Sequence, residues 1–315
     1  MASKHVVPSP DAVFSSPDPF EEFLARRTPE ERASILARQK QANLGYTAVR
    51  LQCLDSAGQE IRGAYASGFV RLEGGKNFLY TCWHVVSGYG APLRLAVKHR
   101  QDRAALRVFV QLVEKRGAYE AIGGLDQLDL PLLDSTGLPL WLQEPDEQEQ
   151  PDLNAIGLRV PRNVDVVKLE MPSSFAVSSL TLLREEFSSI GPLAGDRISV
   201  VGYPHGYSAD GEDDLTAVVL TRNVAAGMTR QGLPHRLIVD GPGTPGMSGA
   251  PVFIWDQQGH PRLFGIYSGI IHPGTGRLQH HEYAASLGEC FRLCNLCGEN
   301  GPGLVASGAL RRRSA

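Results

Sequence analysis

Gly241-Pro242-Gly243-Thr244-Pro245-Gly246-Met247-Ser248-Gly249-Ala250-Pro251-Val252 crowds glycine and proline around a single serine. Glycine tolerates positive φ and close backbone approach, while proline fixes φ and removes an N–H donor. The composition therefore dictates a rigid, irregular loop that presents Ser248. In such a loop the N–H groups of Gly246, Met247 and Ser248 can converge on one point and stabilise negative charge on an attacked carbonyl oxygen. The bland alternative is a Gly/Pro turn with an incidental serine, and the rest of the chain decides between the two.

A serine hydroxyl attacks only when a base takes its proton, and that base must be held in one tautomer by a third group. Upstream, Phe78-Leu79-Tyr80-Thr81-Cys82-Trp83-His84-Val85-Val86 reads as a buried strand ending in a histidine. Asn163-Val164-Asp165-Val166-Val167-Lys168-Leu169-Glu170 places an acid at the mouth of a half-buried strand, where burial can lock its geometry. The rival acids Asp126, Asp129, Asp134 and Asp152 lie among turn residues.

With these blocks in view, the chain resembles the trypsin-like serine peptidases, in particular the bacterial branch that includes the HtrA-type enzymes, here without a visible PDZ domain. Five stretches occur in that family's order: Ala66-Ser67-Gly68-Phe69-Val70 leading to Thr81-Cys82-Trp83-His84-Val85-Val86; Asp165-Val166-Val167-Lys168-Leu169; Val200-Val201-Gly202-Tyr203-Pro204; Asp240 followed by Gly246-Met247-Ser248-Gly249-Ala250-Pro251-Val252; and Gly265-Ile266-Tyr267-Ser268-Gly269. The resemblance implies an all-β fold of two packed six-stranded antiparallel β-barrels with the site in the cleft between them. It makes His84 the general base, Asp165 the acid that orients it and Ser248 the nucleophile. The oxyanion hole falls at Gly246 to Ser248. Ser268 matches the serine that bonds the acid and begins the substrate-pairing segment Ser268-Gly269-Ile270.

The departures are Trp83 before the histidine, Val164 before the acid and Ala250 after the serine. Trypsin itself carries a pocket acid where this chain has Pro242. Tyr267 is expected to narrow the same pocket, so small or medium uncharged P1 side chains are expected. The rival function is a catalytically silent module of the same fold that captures peptides or partners.

The 315 residues, 42% hydrophobic and 21% charged, suit a soluble globular chain with room for two small cores. A net charge of -3 gives no reason to expect nucleic acid or an anionic membrane as partner. No stretch approaches the ~20 apolar residues of a membrane span. The opening Met-Ala-Ser-Lys-His-Val-Val-Pro-Ser-Pro lacks an apolar signal region, which points to the cytoplasm. Five cysteines, an odd number, fit that compartment, with Cys53 and Cys82 expected as buried thiols. Relatives that are secreted carry a cysteine after the histidine, and Val85 stands there. The partner expected is a protein or peptide substrate, and no cofactor is required.

Residues 1–17, rich in Pro and Ser, are expected to be flexible. Residues 18–45 read as helical: Phe20, Phe23, Leu24, Ile35 and Leu36 form an apolar stripe, Thr28-Pro29-Glu30-Glu31 a capping box and Gly45 a stop. They are expected to strap a barrel or to dock a regulatory partner. A peptidase domain over 46–300 then divides into barrel one (46–175) and barrel two (190–280). An insertion at 98–160 holds a strand through Leu106, Val108, Val110 and Leu112, a hairpin at 132–140 and a solvated run at 144–152. The loop with Asp210, Glu212, Asp213 and Asp214 reads as a solvated turn. Cys290, Cys294 and Cys297 suggest zinc together with His280 and His281. Their spacing also puts the cysteines with Leu287 on one face of a C-terminal helix at 283–297, which is the expectation adopted, with no metal. A basic tail, 301–315, is expected to be disordered.

Overall fold

The computed structural model describes residues 19–88, 103–116, 119–143, 164–175, 177, 181–184, 187–189, 191–208, 216–228, 236–241, 243–270, 287–294 and 304–306. Residues 1–17, the acidic runs at 144–152 and 210–214, Pro242, His280, His281 and Cys297 lie outside them.

Helices α1 (Pro19–Ala25) and α2 (Pro29–Ala42) open the described chain. The capping box forms: Glu31 N–H donates to Thr28 Oγ1 at 3.2 Å and Thr28 N–H to Glu31 Oε2 at 2.9 Å, so two orphan donors are satisfied reciprocally. Among the described residues of the apolar stripe, burial is mixed. Leu24 is buried, but Phe23 and Leu36 remain exposed. The anchor is instead the 3₁₀ turn Asn43–Tyr46, which buries Leu44 and Gly45 and receives Ala217 N–H on the Gly45 carbonyl at 2.8 Å.

Alternating apolar residues then build the first sheet. Its strands are β1 (Val49–Leu54), β2 (Glu60–Glu73), β3 (Lys76–Thr81), β4 (Ala105–Arg116), β5 (Tyr119–Pro131), β6 (Leu142–Gln143), β7 (Val167–Glu170) and β8 (Leu182–Leu183). Asp55 Oδ1 closes the first hairpin by accepting the N–H groups of Ala57 and Gln59, each at 2.9 Å. Much of the insertion is thus a long β4–β5 hairpin added to the sheet. Leu106, Val108 and Val110 point into the core, and Asp134 tightens the turn that follows.

The second unit is a closed barrel of β9 (Arg197–Gly202), β10 (Val218–Met228), β11 (Arg236–Asp240), β12 (Pro251–Trp255), β13 (Pro261–Ile270) and β14 (Leu287–Arg292), ordered β10-β11-β14-β13-β12-β9. Closure abolishes exposed strand edges, and Ile198, Val200, Val239, Val252 and Phe264 fill the interior. The all-β, two-unit fold is therefore what forms. Among the described residues the first unit uses nine strands, in the order β15-β6-β7-β3-β2-β1-β4-β5 with β8 beside β2, where β15 is Val305–Ala306.

Two expectations at the C-terminal end are corrected. The helix foreseen over 283–297 is strand β14 across 287–292, because β11 and β13 need a partner between them to close the barrel. Cys290 pairs with Leu237 on one side and Tyr267 on the other. The requirement for closure overrides the helical spacing of the cysteines. The tail expected to be disordered from 301 contains Leu304, which is buried, and β15, which pairs with β6. Barrel two therefore runs to residue 292, and the last described strand returns to the first sheet.

The larger core cluster joins Leu51, Phe69, Leu79 and Val167 to Val201, Tyr203, Phe253, Ile266 and Phe291, so apolar packing welds the two units together. Each such side chain, fully buried, contributes roughly 1.5–3 kcal/mol. Among the described residues no helix is long and apolar enough to cross a membrane.

Candidate active site

Strand β3 stops at Thr81, and after Cys82 the chain enters a short helix, α3 (Trp83–Ser87), that Gly88 terminates in the left-handed conformation at φ 72°. His84 therefore sits on a helical turn, not at a strand end. β3 pairs antiparallel with β7, placing Thr81 opposite Val167, and this register carries Asp165, two residues earlier, against His84. Asp165 is 0% exposed. Its Oδ1 accepts His84 N–H at 2.9 Å, and its Oδ2 lies 2.6 Å from His84 Nδ1 and 2.6 Å from the donating Ser268 Oγ. A carboxylate only accepts, so in this contact the imidazole donates from Nδ1. Arg103 donates from Nη1 to the carbonyls of His84, at 3.1 Å, and Val85, closing the C-terminal end of the helical turn.

The described rival acids are engaged elsewhere. Asp129 pairs with Arg107 at 2.8 Å, and that hydrogen bond holds its carboxyl below the ordinary range. Asp126 and Asp134 bond backbone N–H groups of their own segments, and Asp152 is outside the described residues.

The serine loop is wedged between β2 and the turn after β9. Ser67 N–H donates to the Ser248 carbonyl at 2.9 Å and Gly249 N–H to the Tyr267 carbonyl at 2.8 Å. Only glycine fits at two positions. A Cβ at Gly249 (φ 90°) would stand 2.0 Å from the Ser67 carbonyl oxygen, and one at Gly246 (φ 90°) 2.4 Å from that of Tyr203. Ser248 is half-buried, and its Oγ lies 3.8 Å from where a Cβ on Gly269 would stand. The segment Tyr267-Ser268-Gly269 thus touches the serine loop with its backbone and Asp165 with the Ser268 hydroxyl.

Backbone pairing sorts the three candidate oxyanion donors. Met247 N–H is spent on the Thr244 carbonyl at 3.2 Å, and its side chain is buried in the second core, so Met247 leaves the donor set. Among the described residues no acceptor is bonded to the N–H groups of Gly246 or Ser248. The carbonyls beside them are held by His205 N–H on Pro245, at 2.7 Å, and Ala250 N–H on Met247, at 2.9 Å.

Cys82 Sγ, a ring nitrogen of His84 and an Asp165 oxygen lie within 4.8 Å of one another, a spacing that could suit a metal ion. The chemistry does not fit it. Burial, then the neighbouring Asp165, push the Cys82 thiol well up, and the protonated thiol donates to the Tyr267 carbonyl at 3.3 Å. Tyr267 is buried, with burial pushing its phenol up, and its ring covers Gly288, where a Cβ would meet it at 2.7 Å. Ile270 continues β13 opposite Gly288. Trp83, Val164 and Ala250 are all buried and fill the core behind the site. Sequence reasoning gave no role to Ser67, Thr81 or Arg103. For Ser67 and Thr81 the signal was their place in the family-like stretches 66–70 and 81–86.

Residues 66–266, well over half of the chain, match the family described as the trypsin-like peptidase domain. No curated protein matches the chain. Among solved structures it is similar to an inactive serine-to-alanine mutant of Rv3671c from M. tuberculosis H37Rv, at 14% identity and TM-score 0.42 over 82% of this chain and 87% of that one. It is also similar to human heparin binding protein, at 14% identity and TM-score 0.44 over 81% and 89%. A third is the protein GrC, at 14% identity and TM-score 0.45 over 81% and 92%.

Proposed function

This chain belongs to the trypsin-like peptidase family, and from that premise we propose that it is a serine endopeptidase. His84 takes the proton of Ser248 as the hydroxyl attacks a peptide carbonyl, and then delivers it to the leaving amine. Asp165 stabilises the imidazolium, and water hydrolyses the acyl-enzyme. The N–H groups of Gly246 and Ser248 receive the oxyanion, and Ser268-Gly269-Ile270 aligns the substrate backbone. No cofactor enters these steps.

The observation that carries this reading is the fully buried Asp165 carboxylate, which takes both the backbone and the ring of His84 and the hydroxyl of Ser268. A buried acid so arranged fixes one imidazole tautomer, and fixing it has no evident structural use. The four described cysteines are free thiols, which supports an intracellular enzyme. Within the family we place it on the HtrA-like side, as a regulated peptidase. The exposed Phe23 and Leu36 of the N-terminal helices support a regulatory partner there. Fluorophosphonate labelling decides the matter: wild type is labelled at Ser248 and Ser248→Ala is not. An unlabelled wild type would leave the fold as a binding module only.

A further inference from the structure

We infer that Ser67 is a positioning residue for this reaction: its hydroxyl holds the serine loop in the conformation that aims the Gly246 and Ser248 N–H groups at the oxyanion. This rests on the peptidase reading above. Ser67 lies on β2, in the first unit, and is 0% exposed. Its Oγ donates to the Gly246 carbonyl at 2.7 Å and accepts Tyr203 N–H at 2.9 Å. Its own N–H takes the Ser248 carbonyl at 2.9 Å, and its carbonyl accepts the Thr81 hydroxyl at 2.9 Å. One residue of the first sheet therefore fixes two carbonyls of the serine loop in the second.

Peptide planarity makes this matter. A carbonyl held on one side fixes the N–H of the next residue on the other. The Gly246 carbonyl turned to Ser67 sends Met247 N–H to Thr244. The Ser248 carbonyl turned to Ser67 sends Gly249 N–H to Tyr267. What is left facing the site is Gly246 N–H and Ser248 N–H. The Gly246 peptide is held from its other side by His205, the one non-glycine residue with positive φ (53°) among those described, as befits a strained turn at a functional site. Space for the hydroxyl is made by Gly202, where a Cβ would stand 2.6 Å from Ser67 Oγ. Three of the five sequence blocks thus meet at this oxygen. Without it, the Gly246 carbonyl loses its donor and a permissive glycine is free to rotate.

The test compares wild type, Ser67→Ala and Ser67→Cys by fluorophosphonate labelling rate, by kcat and KM on a peptide substrate, and by thermal midpoint. Ser67→Ala is expected to slow labelling and kcat about 100-fold, the scale of losing one oxyanion donor, with KM within about twofold. Ser67→Cys, a weak donor of similar volume, should fall between, and it carries the test if the alanine variant does not fold. A role confined to stability would lower the thermal midpoint and leave the rate per folded molecule at the wild-type value, which overturns the inference. Wild type that is not labelled overturns the peptidase reading itself, and this inference with it.

Discussion

Ser268 and Asp165 are bonded hydroxyl to carboxylate at 2.6 Å, across 103 residues of sequence and the boundary between the two units. The bond lands on the oxygen that faces His84 Nδ1. Ser268→Ala should therefore lower kcat/KM about tenfold by removing one donor to a charged acceptor. Asp165→Asn should lower kcat on the order of 10⁴-fold, since the amide favours the wrong tautomer. Steady-state kinetics on a peptide substrate read both, and equal losses would show that Asp165 does not orient the imidazole.

Gly249→Ala should not be tolerated. The new methyl meets the Ser67 carbonyl oxygen at 2.0 Å and Thr81 Oγ1 at 2.4 Å, in a backbone conformation at φ 90° that only glycine adopts readily. A loss of more than about 3 kcal/mol in denaturant-derived stability is expected, together with loss of fluorophosphonate labelling.

Glu73 makes stability depend on acid. It accepts Lys168 Nζ at 2.6 Å, Arg71 Nη1 at 2.7 Å and the Tyr80 hydroxyl. Burial alone would raise its pKa, but the bonds from Lys168, Tyr80 and Arg71 together outweigh it and hold the carboxyl below the usual glutamate value. A depressed folded-state pKa contributes stability that is fully present above the unfolded value, about 4.3, and is lost as pH falls through the lower folded one. Glu73→Gln should lower stability near neutrality by about 2 kcal/mol and flatten the wild-type decline below about pH 5. Chemical denaturation across pH 3–7 checks the sign.

Tyr267, whose buried ring covers Gly288, is the residue expected to set substrate choice. Cleavage should follow small or medium uncharged side chains, and Tyr267→Ala should shift the profile toward larger ones. A peptide library in which wild type cuts after Arg or Lys would contradict this.

The sequence marked three candidate groups by local pattern: His84 at the end of an apolar run, read as a strand end where a short helix forms; Asp165 at the mouth of an apolar strand; and Ser248 in a loop of glycine and proline. Strands with clear alternation, such as the one through Leu106, Val108 and Val110, could be read for the same reason. What stayed hidden depends on partners distant in the chain. Leu287–Arg292 offers a helical cysteine spacing, and only the gap between β11 and β13 makes it a strand. Leu304 to Ala306 is too short and too flanked by glycine to signal a strand without β6 beside it. Met247 N–H looked available until the turn to Thr244 consumed it. The Ser67 hydroxyl finds its acceptor 179 residues away.

The return of β15 to β6 has a consequence for biosynthesis. On the ribosome the edge of the amino-terminal sheet stays open while the whole of the carboxyl-terminal barrel is still being made, because the segment that covers it is translated afterwards. Ser67 and Asp165 likewise wait for Gly246 and Ser268. A nascent chain therefore joins both Ser67 to Gly246 and Asp165 to Ser268 only after translation has carried the polypeptide past residue 268.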